Sequence, residues 1–319
     1  MPEGHSIHRL ARQFTDVFGG QRVRVSGPQG RFAAGAALLD GREVVGASAH
    51  GKQLFVHFGP DGAHHLRVHL GLYGAFDFGG DEHFAGASSI GAPRRIGERE
   101  VGGGSVHDGG APVYAGPPPP VGAVRMRMVS EHGWADLRGA SACEVLSTEE
   151  MRAVRAKLGP DPLAADALAT GAAGGTDAKG GTPSSCLAAE FARRLGATRT
   201  MIGTVLMDQA RVAGVGNIYR AEALFRGGID PWLGANRLAP GQVDALWCDL
   251  VALLRAGVRD GRIVTTDAAD RPDPGSEIWP EQAHYVYQRA GQRCRRCPQT
   301  VAVAEIAGRK LYWCPGCQR

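Results

Sequence analysis

Three observations predict an α+β chain of several domains. Between residues 21 and 137 short runs alternate apolar and polar side chains and are divided by Gly and Pro, the pattern of an antiparallel β-sandwich. From about 146 to 260 the apolar spacing becomes that of helices. The chain then closes with two Cys-x2-Cys pairs flanking a hairpin pattern. The expected organisation is an N-terminal β-sandwich domain with a leading helix over 1–138, a helical domain over 146–260, and a C-terminal four-Cys β-hairpin domain over 284–319.

Taken in order, Ile7, Leu10, Ala11, Phe14 and Phe18 recur at helical spacing, and Gly19-Gly20 ends that run. Strand patterns follow at Arg22–Val25, Gln53–Phe58, Leu66–Leu70 and Val124–Met128. Residues 97–123, with three consecutive glycines and four consecutive prolines, interrupt the β region and are expected to form a long flexible loop. Ser147-Thr148-Glu149-Glu150 is a capping box opening a helix with Met151, Val154 and Leu158 on its apolar face. Further helical patterns carry Leu187, Phe191 and Leu195, then Ile202, Val205 and Leu206, then Val243, Leu246, Trp247, Leu250 and Leu254. The Gly/Ala/Thr/Ser stretch 169–185 is expected to be a disordered insertion.

Composition narrows the function classes. The 319 residues suffice for two or three cores, and no apolar run could span a bilayer. The amino terminus lacks the charged and apolar regions of a signal peptide, so a cytoplasmic, membrane-free protein is expected, and the 47 Gly with abundant Ala and Arg are consistent with a bacterial genome of high GC content. Net charge is +4, but residues 284–319 hold seven Arg/Lys against Glu305 alone, so that segment is +6 and the remainder −2. A basic tail on a near-neutral body is the footprint of a phosphate-binding module.

Cys294, Cys297, Cys314 and Cys317 are spaced to close one tetrahedral zinc site between two knuckles. Four thiolates leave no open position, so such a zinc would be structural. Val301–Ile306 and Leu311–Trp313 are expected as the arms and Ala307–Lys310 as the turn, with Arg309 at its tip. The stretch Leu206–Arg220 reads as a helix, a turn with Gly214 and Gly216, and a second helix starting near Asn217. Its helix N-terminus offers backbone N–H groups to a phosphate. At the other end, removal of Met1 would leave Pro2 as a terminal secondary amine beside Glu3. Such an amine can attack a carbon bearing oxygen and go on to an iminium, a covalent catalysis normally done by lysine. On its own, however, Met-Pro at a helix start is ordinary.

Met1-Pro2-Glu3-Gly4, the helix–two-turn–helix stretch and the ribbon ending Tyr312-Trp313-Cys314-Pro315-Gly316-Cys317 together resemble one family, the bifunctional DNA glycosylases of the formamidopyrimidine-DNA glycosylase/endonuclease VIII type. The resemblance implies that Pro2 is the nucleophile, that Glu3 moves protons on the sugar, and that Lys52 is essential to base excision. It places His69, Asn217 and Arg309 on the DNA backbone and Gly71-Leu72-Tyr73 in the gap left by an everted nucleotide. Leu72 and Tyr73 resemble the endonuclease VIII branch, whose wedge is Gln-Leu-Tyr, while Gly71 departs from it. The implied activity is excision of oxidised bases, pyrimidines in preference, with lyase cleavage at abasic sites through β,δ-elimination. The implied partner is double-stranded DNA carrying damaged bases or abasic sites, met by a monomer with one structural Zn2+. The rival readings are a relative preferring 8-oxoguanine or formamidopyrimidine, and a zinc-ribbon DNA-binding protein without chemistry.

Overall fold

The computed structural model describes residues 2–60, 62–92, 116–164, 183–271 and 278–319. They fall into two compact units, Met1–Ala156 and Lys157–Arg319.

The first unit opens with α1 (Gly4–Phe18), whose Ile7, Leu10, Ala11, Phe14 and Phe18 are buried as the spacing requires. Then come β1 (Arg24–Ser26), α2 (Ala33–Leu39), β2 (Val44–His50), β3 (Gln53–Phe58), β4 (His64–His69), β5 (Ala75–Gly80), β6 (Ser89–Gly91), β7 (Val124–Val129), β8 (Gly133–Arg138), β9 (Ala142–Ser147) and α3 (Thr148–Ala156). The strands form two antiparallel sheets, ordered β1-β7-β8-β5-β6 and β2-β3-β4-β9. A single apolar cluster gathers Phe14 and Leu10 of α1, Leu54 and Val56 of β3, and Phe76 and Met126 of the larger sheet. Phe14 meets Phe76 and Phe78 edge-on, with centroids 4.9 and 5.5 Å apart.

β9 pairs with β4 along its length, so the first unit extends past residue 138. The capping box of α3 forms as expected: the Ser147 N–H donates to Glu150 and the Glu150 N–H to the Ser147 hydroxyl, at 2.8 and 3.2 Å. Met151 of this helix packs with Phe55 and Leu146, which ties α3 to the β unit.

In the second unit come α4 (Pro183–Gly196), α5 (Ile202–Val205), α6 (Asn217–Arg226), α7 (Pro240–Asp260), β10 (Ala302–Ile306) and β11 (Arg309–Trp313). Phe191, Leu206, Tyr219, Trp247 and Leu250 join the helices in one core. Pro240 opens α7 and Gly261, with φ 70°, ends it. The expected insertion over 169–182 and the loop over 97–115 lie outside the described residues. Residues 183–185 belong to α4 instead of the insertion.

The C-terminal hairpin is tighter than expected. Ile306 pairs with Arg309, leaving only Ala307-Gly308 as the turn, with φ 52° and 68°. Two successive left-handed residues make the turn whose twist matches that of paired strands, so the ladder runs two residues further than the hydrophobic pattern reveals. Arg309 is thus the first, exposed residue of β11.

Candidate active site and metal centre

The end of the first unit that carries Pro2 is set by how α1 lies on β2. The Thr15 hydroxyl accepts the Ala47 N–H at 3.0 Å, and the Gly20 N–H donates to Val44 O at 2.7 Å. Moving toward the amino end of α1 therefore means moving forward along β2. The 15 residues of α1 rise about 22 Å and the seven of β2 about 23 Å, so both arrive at the same end. Pro2 and Glu3 therefore lie at the end of the first unit that also carries the two-residue β2–β3 turn, Gly51-Lys52.

Glu3 is the residue capping α1, with extended backbone and its carbonyl accepting the Ser6 N–H at 3.0 Å. It is only 1% exposed, a carboxylate set at the positive end of a helix. His5, which sequence reasoning passed over, is buried beside it and shares a 3.1 Å hydrogen bond with the Ser6 hydroxyl. Burial, helped by the Arg9 charge, pushes its pKa down to about 3, so the imidazole stays neutral. The wide polar gap between Ile7 and the chain start carries no periodic signal that would have singled it out.

His69 ends β4 next to Lys52. Burial first, then the charges of Lys52 and Arg67, hold its pKa below the usual imidazole value. The Ser141 hydroxyl donates to His69 O at 2.9 Å and meets His69 Nδ1 at 2.6 Å. With its own hydrogen committed, that hydroxyl accepts from Nδ1–H, which leaves Nε2 of the neutral ring as an unprotonated acceptor.

The chain then turns through Gly71-Leu72-Tyr73, closed by the Gly74 N–H on Leu70 O at 3.0 Å. Leu72 is half-buried, whereas Tyr73 is 80% exposed. Tyr73 lines an open cavity of about 440 Å³ with Val121 and Arg138. Gly71 has φ +69°, and a Cβ there would sit 3.1 Å from both Cβ and Oγ of Ser141. The departure from a Gln wedge is therefore built into the turn. Gly71→Gln is expected to destabilise the first unit by about 1–3 kcal/mol through backbone strain, and to disturb His69 by displacing Ser141. Urea unfolding checks the first outcome, and the His69 ring resonances check the second.

In the second unit the turn before α6 is held by Gln209, whose side chain accepts the Gly214 N–H at 3.0 Å and donates to Val215 O at 2.9 Å. Asn217, first residue of α6, is buried, and its amide donates to Lys310 O at 3.0 Å. Arg220, also buried, donates to Asn217 Oδ1, to Lys310 O at 3.2 Å and to Gly203 O at 3.1 Å. The start of α6 is thus locked to the strand whose first residue is Arg309. Asn217 is bonded to the carbonyl of Lys310, the residue that follows Arg309 on β11.

The four expected cysteines converge, with all Sγ atoms within 4.8 Å of one another. Cys294–Cys317 and Cys297–Cys314 lie at 3.9 and 3.4 Å. A tetrahedron of thiolates at the usual zinc–sulfur length has edges of about 3.8 Å. The cluster therefore fits a closed metal site.

Two features around it were not legible in the sequence. Glu222 of α6 is fully buried and its carboxylate accepts the N–H groups of Tyr285, Val286 and Tyr287 at 2.7, 2.8 and 2.7 Å, and the Thr265 hydroxyl. It fixes the chain leading into the hairpin. The basic segment is also less available than its composition suggests. Arg296 pairs with Asp267 and Asp270 at 3.0 and 3.1 Å and stacks over Tyr285, 4.5 Å from its centroid. Arg295 donates to His284 O and Arg289 to Tyr285 O.

Comparison with known proteins agrees with this arrangement. Residues 1–100 match the model of the formamidopyrimidine-DNA glycosylase N-terminal domain, and residues 181–268 match that of the formamidopyrimidine-DNA glycosylase H2TH domain. The protein called Endonuclease 8 1 of Mycobacterium tuberculosis (strain ATCC 25618 / H37Rv) is 39% identical over 318 residues, covering 100% of both chains. A formamidopyrimidine-DNA glycosylase of Nitratidesulfovibrio vulgaris is 38% identical over 162 residues, 51% of this chain and 38% of that one. Among solved structures, a complex between the Lactococcus lactis Fpg and an abasic site containing DNA aligns with a TM-score of 0.67 at 20% identity, covering 99% of each chain, which speaks for the fold. Among the described residues no helix is long and apolar enough to cross a membrane. The sandwich led by Pro2-Glu3, the helix–turn–helix joined to a four-Cys hairpin, and full-length similarity at this level place the chain in the formamidopyrimidine-DNA glycosylase/endonuclease VIII family of DNA glycosylases.

Proposed function

We propose that the protein excises oxidised bases, pyrimidines in preference, from double-stranded DNA and cleaves abasic sites through a Schiff base on Pro2. The observation that carries this reading is that the direction of α1 along β2 sets Pro2 and Glu3 at the same end of the first unit as the Lys52 turn. The target nucleotide is swung out of the duplex so that its C1′ can be reached. Tyr73, exposed at the tip of its turn, and Leu72 fill the vacated stack. The Pro2 amine forms a bond to C1′ as the C1′–base bond breaks, and ring opening gives an iminium. That cation acidifies C2′, whose proton is removed as the 3′ phosphate leaves. A second elimination releases the 5′ phosphate. Glu3 carries the protons, in the manner of general acid–base catalysis. Lys52 assists departure of the base. His69 would meet the DNA backbone through Nε2, which bears no hydrogen in the neutral ring; an anionic phosphate there favours uptake of a proton from solvent, and the resulting Nε2–H donates to it.

Cys294, Cys297, Cys314 and Cys317 would hold one Zn2+, which when bound neutralises the thiolates and fixes the two knuckles. The hairpin presents Arg309, and Asn217 holds that hairpin to α6. Arg309→Ala is expected to weaken DNA binding and to reduce the slope of log affinity against log salt by about one. Asn217→Ala is expected to act in the same direction, and more weakly, by removing one of the two donors to Lys310 O and the Oδ1 that Arg220 also engages. Fluorescence titration across a salt series measures both. Stripping the zinc with a chelator should reproduce the Arg309 effect, because the turn loses its base.

Borohydride trapping on abasic-site DNA tests the chemistry, since it captures only a Schiff-base enzyme. Single-turnover excision from duplexes carrying thymine glycol, dihydrouracil, 8-oxoguanine or formamidopyrimidine, each opposite all four bases, tests the lesion class. Fastest excision of 8-oxoguanine with a strict demand for cytosine opposite would overturn the pyrimidine preference and leave the Schiff base standing. Absence of trapping would favour the non-catalytic reading.

A further inference from the structure

At one edge of the first unit, two loops bring together Asp81, His83 and His132. Asp81–Phe84 is a turn leaving β5, closed by the Phe84 N–H on Asp81 O at 3.1 Å. His132 lies in the β7–β8 hairpin loop. The loops are joined through the backbone, because the Asp81 N–H donates to His132 O at 3.1 Å. Asp81 Oδ1 is committed to the His83 N–H at 2.8 Å. That fixes the carboxylate and turns Oδ2 toward His132 Nδ1, 2.7 Å away. The His83 and His132 rings meet edge to face with centroids 5.1 Å apart. One donor atom from each of the three side chains lies within 4.8 Å of the other two.

We propose that Asp81, His83 and His132 form a second metal site, separate from the four cysteines, for a divalent late first-row ion such as Zn2+. Two imidazoles and one carboxylate are a donor set for such ions, and the hard Mg2+ and Ca2+ prefer all-oxygen shells. Three protein ligands leave a fourth position, which water fills or the adjacent, exposed Glu82 closes. The His83 and His132 side chains are 66% and 43% exposed, so an ion can enter without opening the core. Binding exchanges the proton now shared between His132 Nδ1 and Asp81 Oδ2 for the metal, and that proton passes to solvent. The ion would bolt the end of β5 to the β7–β8 loop.

The test is equilibrium dialysis of the full chain against excess Zn2+, with zinc counted per chain by emission spectroscopy. The wild type is expected to hold one equivalent more than His83→Ala or His132→Ala, whatever the cysteines carry. His64→Ala, a half-buried histidine on the other sheet, should hold the same number as wild type. Imidazole nitrogen shifts should move for His83 and His132 in the wild type when Zn2+ is added. Equal zinc counts in wild type and both variants, or nitrogen shifts that leave His83 and His132 untouched, would overturn the proposal.

Discussion

A protein that keeps any residue ahead of Pro2 is expected to lose borohydride trapping on abasic-site DNA while its DNA affinity is retained. The reason is electronic. Once Pro2 is acylated its nitrogen lone pair is delocalised into the amide and cannot attack C1′, nor expel oxygen to form an iminium. The loss should approach that of removing a covalent nucleophile, about 10⁴-fold or more in single-turnover rate. Binding should persist, since the exposed cation at Arg309 lies on a different unit of the chain. The measurement compares an amino-terminally extended, unprocessed form with one whose Met1 has been removed. Efficient trapping by the extended form would sink the assignment of Pro2.

The largest expected effect on stability comes from Glu222→Ala. Three backbone N–H groups and the Thr265 hydroxyl converge on this buried carboxylate; truncation removes it as acceptor for the three N–H groups, while the hydroxyl keeps Ala283 O at 3.1 Å. Orphaned buried donors cost about 1–3 kcal/mol each, and some relaxation is available, so a loss of about 4 kcal/mol is expected. That is a large share of the net stability of a typical domain. Glu222→Gln keeps one acceptor oxygen and should lose about half as much. The damage should be directional. Residues 285–287 lead into the first cysteine knuckle, and Phe225 of α6 stacks on Tyr285 with centroids 4.9 Å apart. Metal retention by the four cysteines should therefore fall together with the urea midpoint. Tryptophan fluorescence can follow the transition, because Trp232 and Trp313 meet at 4.6 Å beside the hairpin. A midpoint shift equivalent to less than about 0.5 kcal/mol would place Glu222 among ordinary surface changes and contradict the account.

What the sequence by itself determined were the features written in neighbouring residues. The helix behind Pro2, the capping box at Ser147 and Glu150, the two cysteine knuckles and the helix start at Asn217 each follow from spacing within one or two turns of chain. The same short-range motifs carried the family resemblance. Tertiary structure alone decided how they meet. That β9 completes the sheet of β4 depends on partners more than seventy residues apart, and no local pattern records such a pairing. Asn217 carries the pattern of an open helix start, yet its side chain is spent on Lys310 O, because α6 is buried on all sides and the strand of the hairpin runs across its first turn. Arg296 counts as positive charge in the composition but is neutralised by Asp267 and Asp270 from another loop. Glu222 looks like a solvated helical carboxylate until three peptide N–H groups from sixty residues away close on it. A residue's type sets which bonds it can make, and only the folded chain settles which of them it makes.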